Sequence, residues 1–279
     1  MRMPAPVRGR EGLQCARVLG PAGRRIDVDS VVFRIPVVAS PKSVRSEVGG
    51  SMAWERFDQA APGYANWYTT RRGRRVEQAE CDLLAWLLES FPSATSALEV
   101  GCGTGQFTEW LGGHLARVIG LDRSSAMLAE LQRCSPAIPA VLADAHRLPF
   151  GDATVDLVVY VTALEFLEDP AQALREGLRV ARQGLLLVVL NRWSPGGLSR
   201  RWGPQAHQPL LGHAKDYSLI DLLAAVKEGA GQRLRAMRWR STLFPYGAWG
   251  VHCPIPLGDV IGLAALLSRP LEEGQSNDR

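Results

Sequence analysis

The chain has 279 residues, 46% hydrophobic and 22% charged, an ordinary composition for one large folded domain with extensions. Its longest purely aliphatic runs, Leu185–Leu190 and Leu263–Leu267, fall far short of the roughly 20 apolar residues that cross a bilayer, which excludes a membrane-spanning reading. The net charge of +4 belongs to residues 1–51, with nine basic and four acidic side chains; the remainder holds 23 basic and 24 acidic residues, so the body offers no basic face for nucleic acid.

Residues 1–51 are rich in Arg, Gly, Pro, Val and Ser and show no helical period, although Ile26–Val38 alternates loosely enough for a short strand. No apolar core follows the first arginines, as a secretory signal requires, and Glu11, Asp27, Asp29 and Glu47 argue against a transit peptide. The segment reads as a poorly ordered basic extension, with Met52 as the true start. The domain then spans 52–268, and 269–279 is a polar tail. Cys15, Cys81, Cys102, Cys134 and Cys253 are odd in number and contain no C-x-x-C pair. This argues against a disulfide framework and against any sequence-evident metal site, and fits a reducing, cytoplasmic setting.

From Trp54 the character changes. Val76–Leu88 places Val76, Ala79, Leu83, Leu84, Trp86 and Leu87 on one face at helical spacing, with Glu77, Glu80, Asp82 and Glu89 on the polar side. Beyond Pro92, strands and helices alternate. Ala97–Val100, Arg117–Leu121, Ala140–Ala143, Val155–Val161 and Leu185–Leu190 read as strands. Gln106–His114, Ser125–Arg133 (Ser124 as N-cap) and Asp169–Val180 (Pro170 in the first turn) read as helices. Leu219–Val226 is a further helix and Leu234–Leu243 a sixth strand. Val260–Leu267 is a seventh strand or a terminal helix, which periodicity cannot decide. Strands apolar on both faces and alternating with helices predict a Rossmann-like, doubly wound α/β fold with a mostly parallel seven-stranded sheet.

The first strand runs into Gly101-x-Gly103-x-Gly105 and then a helix, an arrangement suited to a nucleotide-like ligand: backbone without Cβ turns sharply and approaches closely. Alone the loop is weak, because a turn also uses glycine. Three acids strengthen it. Glu99 at the first strand's end can receive a ligand's ammonium group. Asp122 ends the second strand and can accept both ribose hydroxyls, or cap a helix instead. Asp144 ends the third, where a carboxylate or neighbouring amide reads an adenine edge. All three lie at the carboxyl ends of adjacent strands, where open α/β sheets bind ligands. A nicotinamide dehydrogenase is the rival on such a sheet, but its G-x-G-x-x-G spacing fails at Gln106.

LEVGCGTGQFT at 98–108 resembles motif I of the class I S-adenosylmethionine-dependent methyltransferases. Leu121-Asp122 resembles their ribose-binding acid, ADAHRLPFGDATVDLVV at 143–159 the third and fourth motifs of the UbiE-like, type-11 branch, and LREGLRVARQGLLLVVLN at 174–191 the helix and strand that follow. Gln183-Gly184 stands where the family usually has a Pro-Gly-Gly turn, and the stretch from Phe244 to Gly258 is short for the family. The resemblance implies S-adenosylmethionine as cofactor. Gly101, Gly103 and Gly105 would contact its methionine part, Asp122 its ribose, and Asp144 with Ala145 its adenine. Thr162 would line the floor near the methyl group, and Cys102 would be a small residue that fits the loop. FDQAAPGYANWY at 57–68 resembles the segment that folds over the cofactor, which makes Tyr64, Trp67 and Tyr68 substrate contacts or else core or lid packing.

The implied reaction is in-line methyl transfer to a small-molecule acceptor such as a quinone precursor, without nucleic acid or a membrane span, and in an oligomeric state the sequence does not define. Alignment of nucleophile, methyl and sulfur supplies much of the rate. His146 and Glu165 are the candidate bases, and catalysis without a base stays open. The long segment Arg192–Tyr217 contributes Arg200, His207 and Tyr217 as substrate or lid candidates, a solvated basic surface being the alternative for its arginines. A non-catalytic cofactor-binding regulator is the alternative function.

Overall fold

The central strands are apolar on both sides because each side is covered by helices. The computed structural model describes residues 53–203, 210–244 and 251–268. The expected extension (1–51) and polar tail (269–279) lie outside the described residues. The chain enters through helices α1 (Ala53–Tyr64), α2 (Asn66–Thr69) and α3 (Arg71–Leu88). It then alternates: β1 (Ser96–Val100), α4 (Gln106–Gly112), β2 (Arg117–Asp122), α5 (Ser125–Cys134), β3 (Ala140–Leu142), β4 (Val155–Val161), α6 (Pro170–Val180) and β5 (Ala181–Leu190). Helices α7 (Pro195–Trp202) and α8 (Leu219–Ala230) precede strands β6 (Leu234–Thr242) and β7 (Val260–Leu267).

The seven strands lie in the order β3-β2-β1-β4-β5-β7-β6. The first five are parallel, and β7 runs antiparallel to both β5 and β6. Val158, Tyr160 and Leu187 pack on one face against Leu174 and Leu178 of α6 and Leu222 and Val226 of α8. Leu157, Val159 and Leu186 pack on the other against Leu83 and Leu87 of α3 and Leu111 of α4. Chain order reverses between β1 and β4, so their carboxyl ends open the crevice where such sheets hold ligands.

Helix signals in the sequence are met by cap geometry. Ser124 Oγ accepts from Met127 N at 3.1 Å, and Asp169, ahead of Pro170, accepts from Gln172 N at 3.0 Å. Val260–Leu267 is a strand, seven of its eight residues buried, inserted between β5 and β6. Four features depart from the sequence reading. The entry helix starts five residues earlier, at Arg71. Glu80, expected on its polar side, is buried. Gln183-Gly184 makes no turn: α6 runs directly into β5, and the irregularity appears as a register shift opposite Val155–Leu157. Part of the long segment after β5 is helical, with Ser194 capping Gly197 N at 2.9 Å. Among the described residues no helix is long and apolar enough to cross a membrane.

Candidate functional site

The loop after β1 turns through three glycines at positive φ: Gly101 (+75°), Gly103 (+53°) and Gly105 (+83°). Side chains are barred at two of them for separate reasons. A Cβ at Gly101 would lie 2.6 Å from Ala163 Cβ, and one at Gly105 would lie 2.7 Å from Leu131 Cγ. At Gly103 it would meet nothing within 4 Å, because that residue borders an open cleft. The amides of Gly101 and Cys102 donate to Leu121 O at 2.7 and 3.0 Å, and Gly103 N donates to Asp122 Oδ2 at 2.8 Å. Asp122 Oδ1 accepts from Ser124 N at 2.8 Å. Each carboxylate oxygen keeps a further lone pair for a ligand hydroxyl. Burial raises the Asp122 pKa, against the pull of the Ser124 and Gly103 amides.

Glu99 is 1% exposed, forms part of the cleft wall and accepts from Thr108 Oγ1, which bolts β1 to α4. Burial pushes it up to about 8, opposed by the Thr108 bond, so it holds a proton at neutral pH. Cys102 packs with Leu128 and Leu131 beneath the loop; burial drives its thiol far above the ordinary range, which makes it unreactive.

Asp144 and His146 form a unit at the end of β3. Asp144 Oδ1 contacts His146 N at 2.9 Å and Nδ1 at 2.6 Å, while Oδ2 faces Arg123 at 3.3 Å. The His146 bond, with further help from Arg123, lowers Asp144 to about 2 despite burial, so it stays ionised. His146 Nε2 accepts from Asp169 N at 3.1 Å, which assigns the proton to Nδ1 and occupies both ring nitrogens. The Asp144 bond raises the His146 pKa against partial burial. Ala145 is buried beside them, and both flank the cleft.

The opposite wall comes from α1 and α2. Asp58 Oδ1 accepts from Ser124 Oγ at 2.6 Å and Ala126 N at 3.1 Å, fixing α1 to the start of α5. This places Trp54, Phe57, Tyr64 and Tyr68 over the glycine loop. Their rings meet edge to face: Phe57 with Phe166 at 4.9 Å, Phe57 with Tyr64 at 6.2 Å and Tyr64 with Tyr68 at 6.2 Å. Burial pushes Tyr64 up to about 12 and Tyr68 well above its usual value, so both stay neutral hydroxyls. Thr162 closes the floor with φ +46°, strained for a β-branched residue, its amide tied to Val188 O at 2.7 Å. The cleft encloses about 950 Å³ including its mouth. Trp54 and Phe166 escaped sequence reasoning, and Phe57 and Asp58 stood in the 57–68 segment without being singled out; Trp67, which was, is 43% exposed and does not line the cleft. The one available signal was the density of aromatics before the first strand.

Three other candidates lie elsewhere. Arg200 is committed to Asp216 at 3.0 Å, with both side chains largely buried. Tyr217 lies behind the site, its hydroxyl donating to Leu164 O at 3.3 Å. Glu165 is fully buried on the turn after β4 and accepts from Leu190 N at 2.5 Å. His207 lies outside the described residues.

The residues present fit an adenosyl cofactor. Gly103 leaves open space beside the loop, Asp122 offers free lone pairs, and Trp54 Nε1 is a buried donor with no partner among the described residues. The comparisons agree. A methyltransferase-domain model matches residues 98–189. The malonyl-[acyl-carrier protein] O-methyltransferase of Pseudescherichia vulneris is 32% identical over 212 residues, covering 76% of this chain and 75% of that protein. The demethylmenaquinone methyltransferase of Renibacterium salmoninarum is 34% identical over 139 residues, 48% of this chain and 55% of that protein. Two other curated relatives are spanned over only 29% and 40% of their length. A solved S-adenosylmethionine-dependent methyltransferase of Thermotoga maritima shares the fold with TM-score 0.61 at 19% identity, over 77% of this chain and 99% of that one. With its loop, sheet order and relatives in agreement, the chain belongs to the class I S-adenosylmethionine-dependent methyltransferases, in the type-11 branch.

Proposed function

We propose that the protein transfers a methyl group from S-adenosylmethionine to a small-molecule acceptor by in-line displacement. The observation that carries the reading is the gathering, in one cleft, of the glycine loop, Asp122, Asp144 and an aromatic wall from α1 and α2. In this reading Asp122 holds the ribose, the Asp144–Ala145 turn faces the adenine, and Glu99 with the glycine loop borders the methionine end. The bound cofactor supplies an electrophilic methyl on a sulfonium. Thr162 and the rings of Tyr64 and Tyr68 exclude water and align the nucleophile, which is where most of the rate arises. Both His146 nitrogens are engaged, which supports a mechanism without that histidine as base.

A small acceptor is supported by the aromatic side of the cleft and by the names of the relatives, one acting on demethylmenaquinone and one on a malonyl group carried by a protein. A reducing, cytoplasmic setting is part of the same proposal, because Cys81 and Cys102 are buried free thiols. Incubating the protein with methyl-labelled cofactor and a panel of small acceptors tests the reading. Label should appear in an acceptor as S-adenosylhomocysteine is released. Tight cofactor binding with no transfer across the panel would favour a cofactor-sensing regulator instead.

A further inference from the structure

Beside the cofactor cleft lies a second one of about 630 Å³ including its mouth, sharing Phe57, Phe166, Leu167 and Glu168 with it. Glu165 forms part of its wall and is fully buried. Its Oε1 accepts from Leu190 N, while Oε2 has no partner among the described residues. Buried polar atoms are nearly always paired, so an orphan beside a cavity points to a ligand. Burial pushes Glu165 up to about 8, against the Leu190 amide and Arg200, so at neutral pH Oε2 carries a proton to donate.

The same cleft is lined by Lys215, Arg56 and His213. The Lys215 ammonium donates to the carbonyls of Leu167 and Glu168 at 3.1 Å each, contacts that orient its charge without neutralising it. Glu168, the other acid on this wall, already lies 3.8 Å from Arg123 and 3.9 Å from His146. One neutral O–H donor and the Lys215 ammonium, beside two phenyl rings, suit a planar monoanion with an apolar body. A phosphate dianion would leave most of its oxygens unserved.

We infer that this second cleft holds the methyl acceptor by a carboxylate, one oxygen taking the Glu165 hydrogen bond and the other facing Lys215. The acceptor is then an organic acid whose apolar part lies along Phe57 and Phe166 toward the cofactor cleft. The inference rests on the methyl-transfer reading.

The test uses the full chain saturated with S-adenosylhomocysteine, with phenylacetate and its neutral counterpart phenylacetamide as probes, followed by calorimetry and ligand-detected NMR. The acid should bind about tenfold more tightly than the amide, as expected for charge-assisted pairing. Lys215→Met should erase that preference. Glu165→Leu should lose acid binding, whereas Glu165→Gln, whose amide N–H replaces the O–H, should restore it. S-adenosylhomocysteine affinity should stay within about twofold in the two Glu165 variants, because Glu165 does not line the cofactor cleft. Acid binding should also fall above about pH 8 in the wild type and not in Glu165→Gln. Glu80, Tyr64, Asp216, Arg200 and Tyr217, together with Lys215, His213, Arg56 and Glu168 on the cleft wall, are the ionisable groups around Glu165, and Glu80→Gln is the control for the buried acid nearest in pKa. Equal affinity for acid and amide with the cofactor product bound overturns the inference alone. Absence of S-adenosylhomocysteine binding by the wild type removes the methyl-transfer reading and this assignment with it.

Discussion

Asp122 serves the loop, whatever it does for a ligand. Its two oxygens accept the Gly103 and Ser124 amides at 2.8 Å each, so the carboxylate holds the glycine turn; on the proposed reading its remaining lone pairs take the ribose hydroxyls. Asp122→Ala should weaken S-adenosylhomocysteine binding by about 1–3 kcal/mol, measured by titration calorimetry on folded protein. Unchanged affinity would remove Asp122 from the site. Residues of this kind are legible in sequence because they end strands with clear apolar patterns and flank glycines. Trp54 and Phe57 are not, since an aromatic on an amphipathic helix looks the same whether it meets a core or a ligand. Glu80 misleads for a related reason. Its spacing marks the polar face of α3, yet it is buried, with Tyr64, Tyr68 and Glu165 near it.

Among the elements, β1 and β4 are tied at their amino ends by one side chain. Asp156 Oδ2 accepts from the amides of Thr95 and Ser96 and from both their hydroxyls, at 2.9 to 3.1 Å, and Oδ1 pairs with Arg182 at 2.8 Å. Burial alone would raise this carboxyl, but those donors hold it well below the usual carboxylate range. Asp156→Ala orphans two amides and should cost about 2–4 kcal/mol in denaturant unfolding, with cofactor affinity largely retained. The folded pKa lies below the unfolded one, so the wild-type contribution is present above about pH 4 and is lost on acidification. The strands themselves could be read from apolar runs. Helices α1 and α7 could not, because the Pro62 and Gly196-Gly197 signals inside them argue for loops and only tertiary packing overrides that preference.

For the molecule as a whole, three buried carboxyls set the opposite trend with pH. Desolvation is the largest cause for Glu80, Glu99 and Glu165, each raised to about 8. Each keeps its proton in the folded state after the unfolded chain has lost it, so stability should fall as pH rises from about 4.5 to 8 and then level off. The thermal midpoint should be lower at pH 8 than at pH 5.5, with a smaller difference in Glu80→Gln; a midpoint that climbs over that range would contradict the burial of these acids. The doubly wound plan was legible because apolar runs and helices alternate, while strand order at the far edge was not, since β7 pairs with β5 across some seventy intervening positions. That insertion has a consequence for synthesis on the ribosome. β6 emerges before β7 yet has no neighbour until β7 arrives, so the sheet must wait, with the β5 edge open, until nearly the whole described chain has been released. A nascent chain stalled after Gly258 should therefore be protease-sensitive and chaperone-bound, and one extended beyond Leu267 into a linker long enough to clear the tunnel should become resistant.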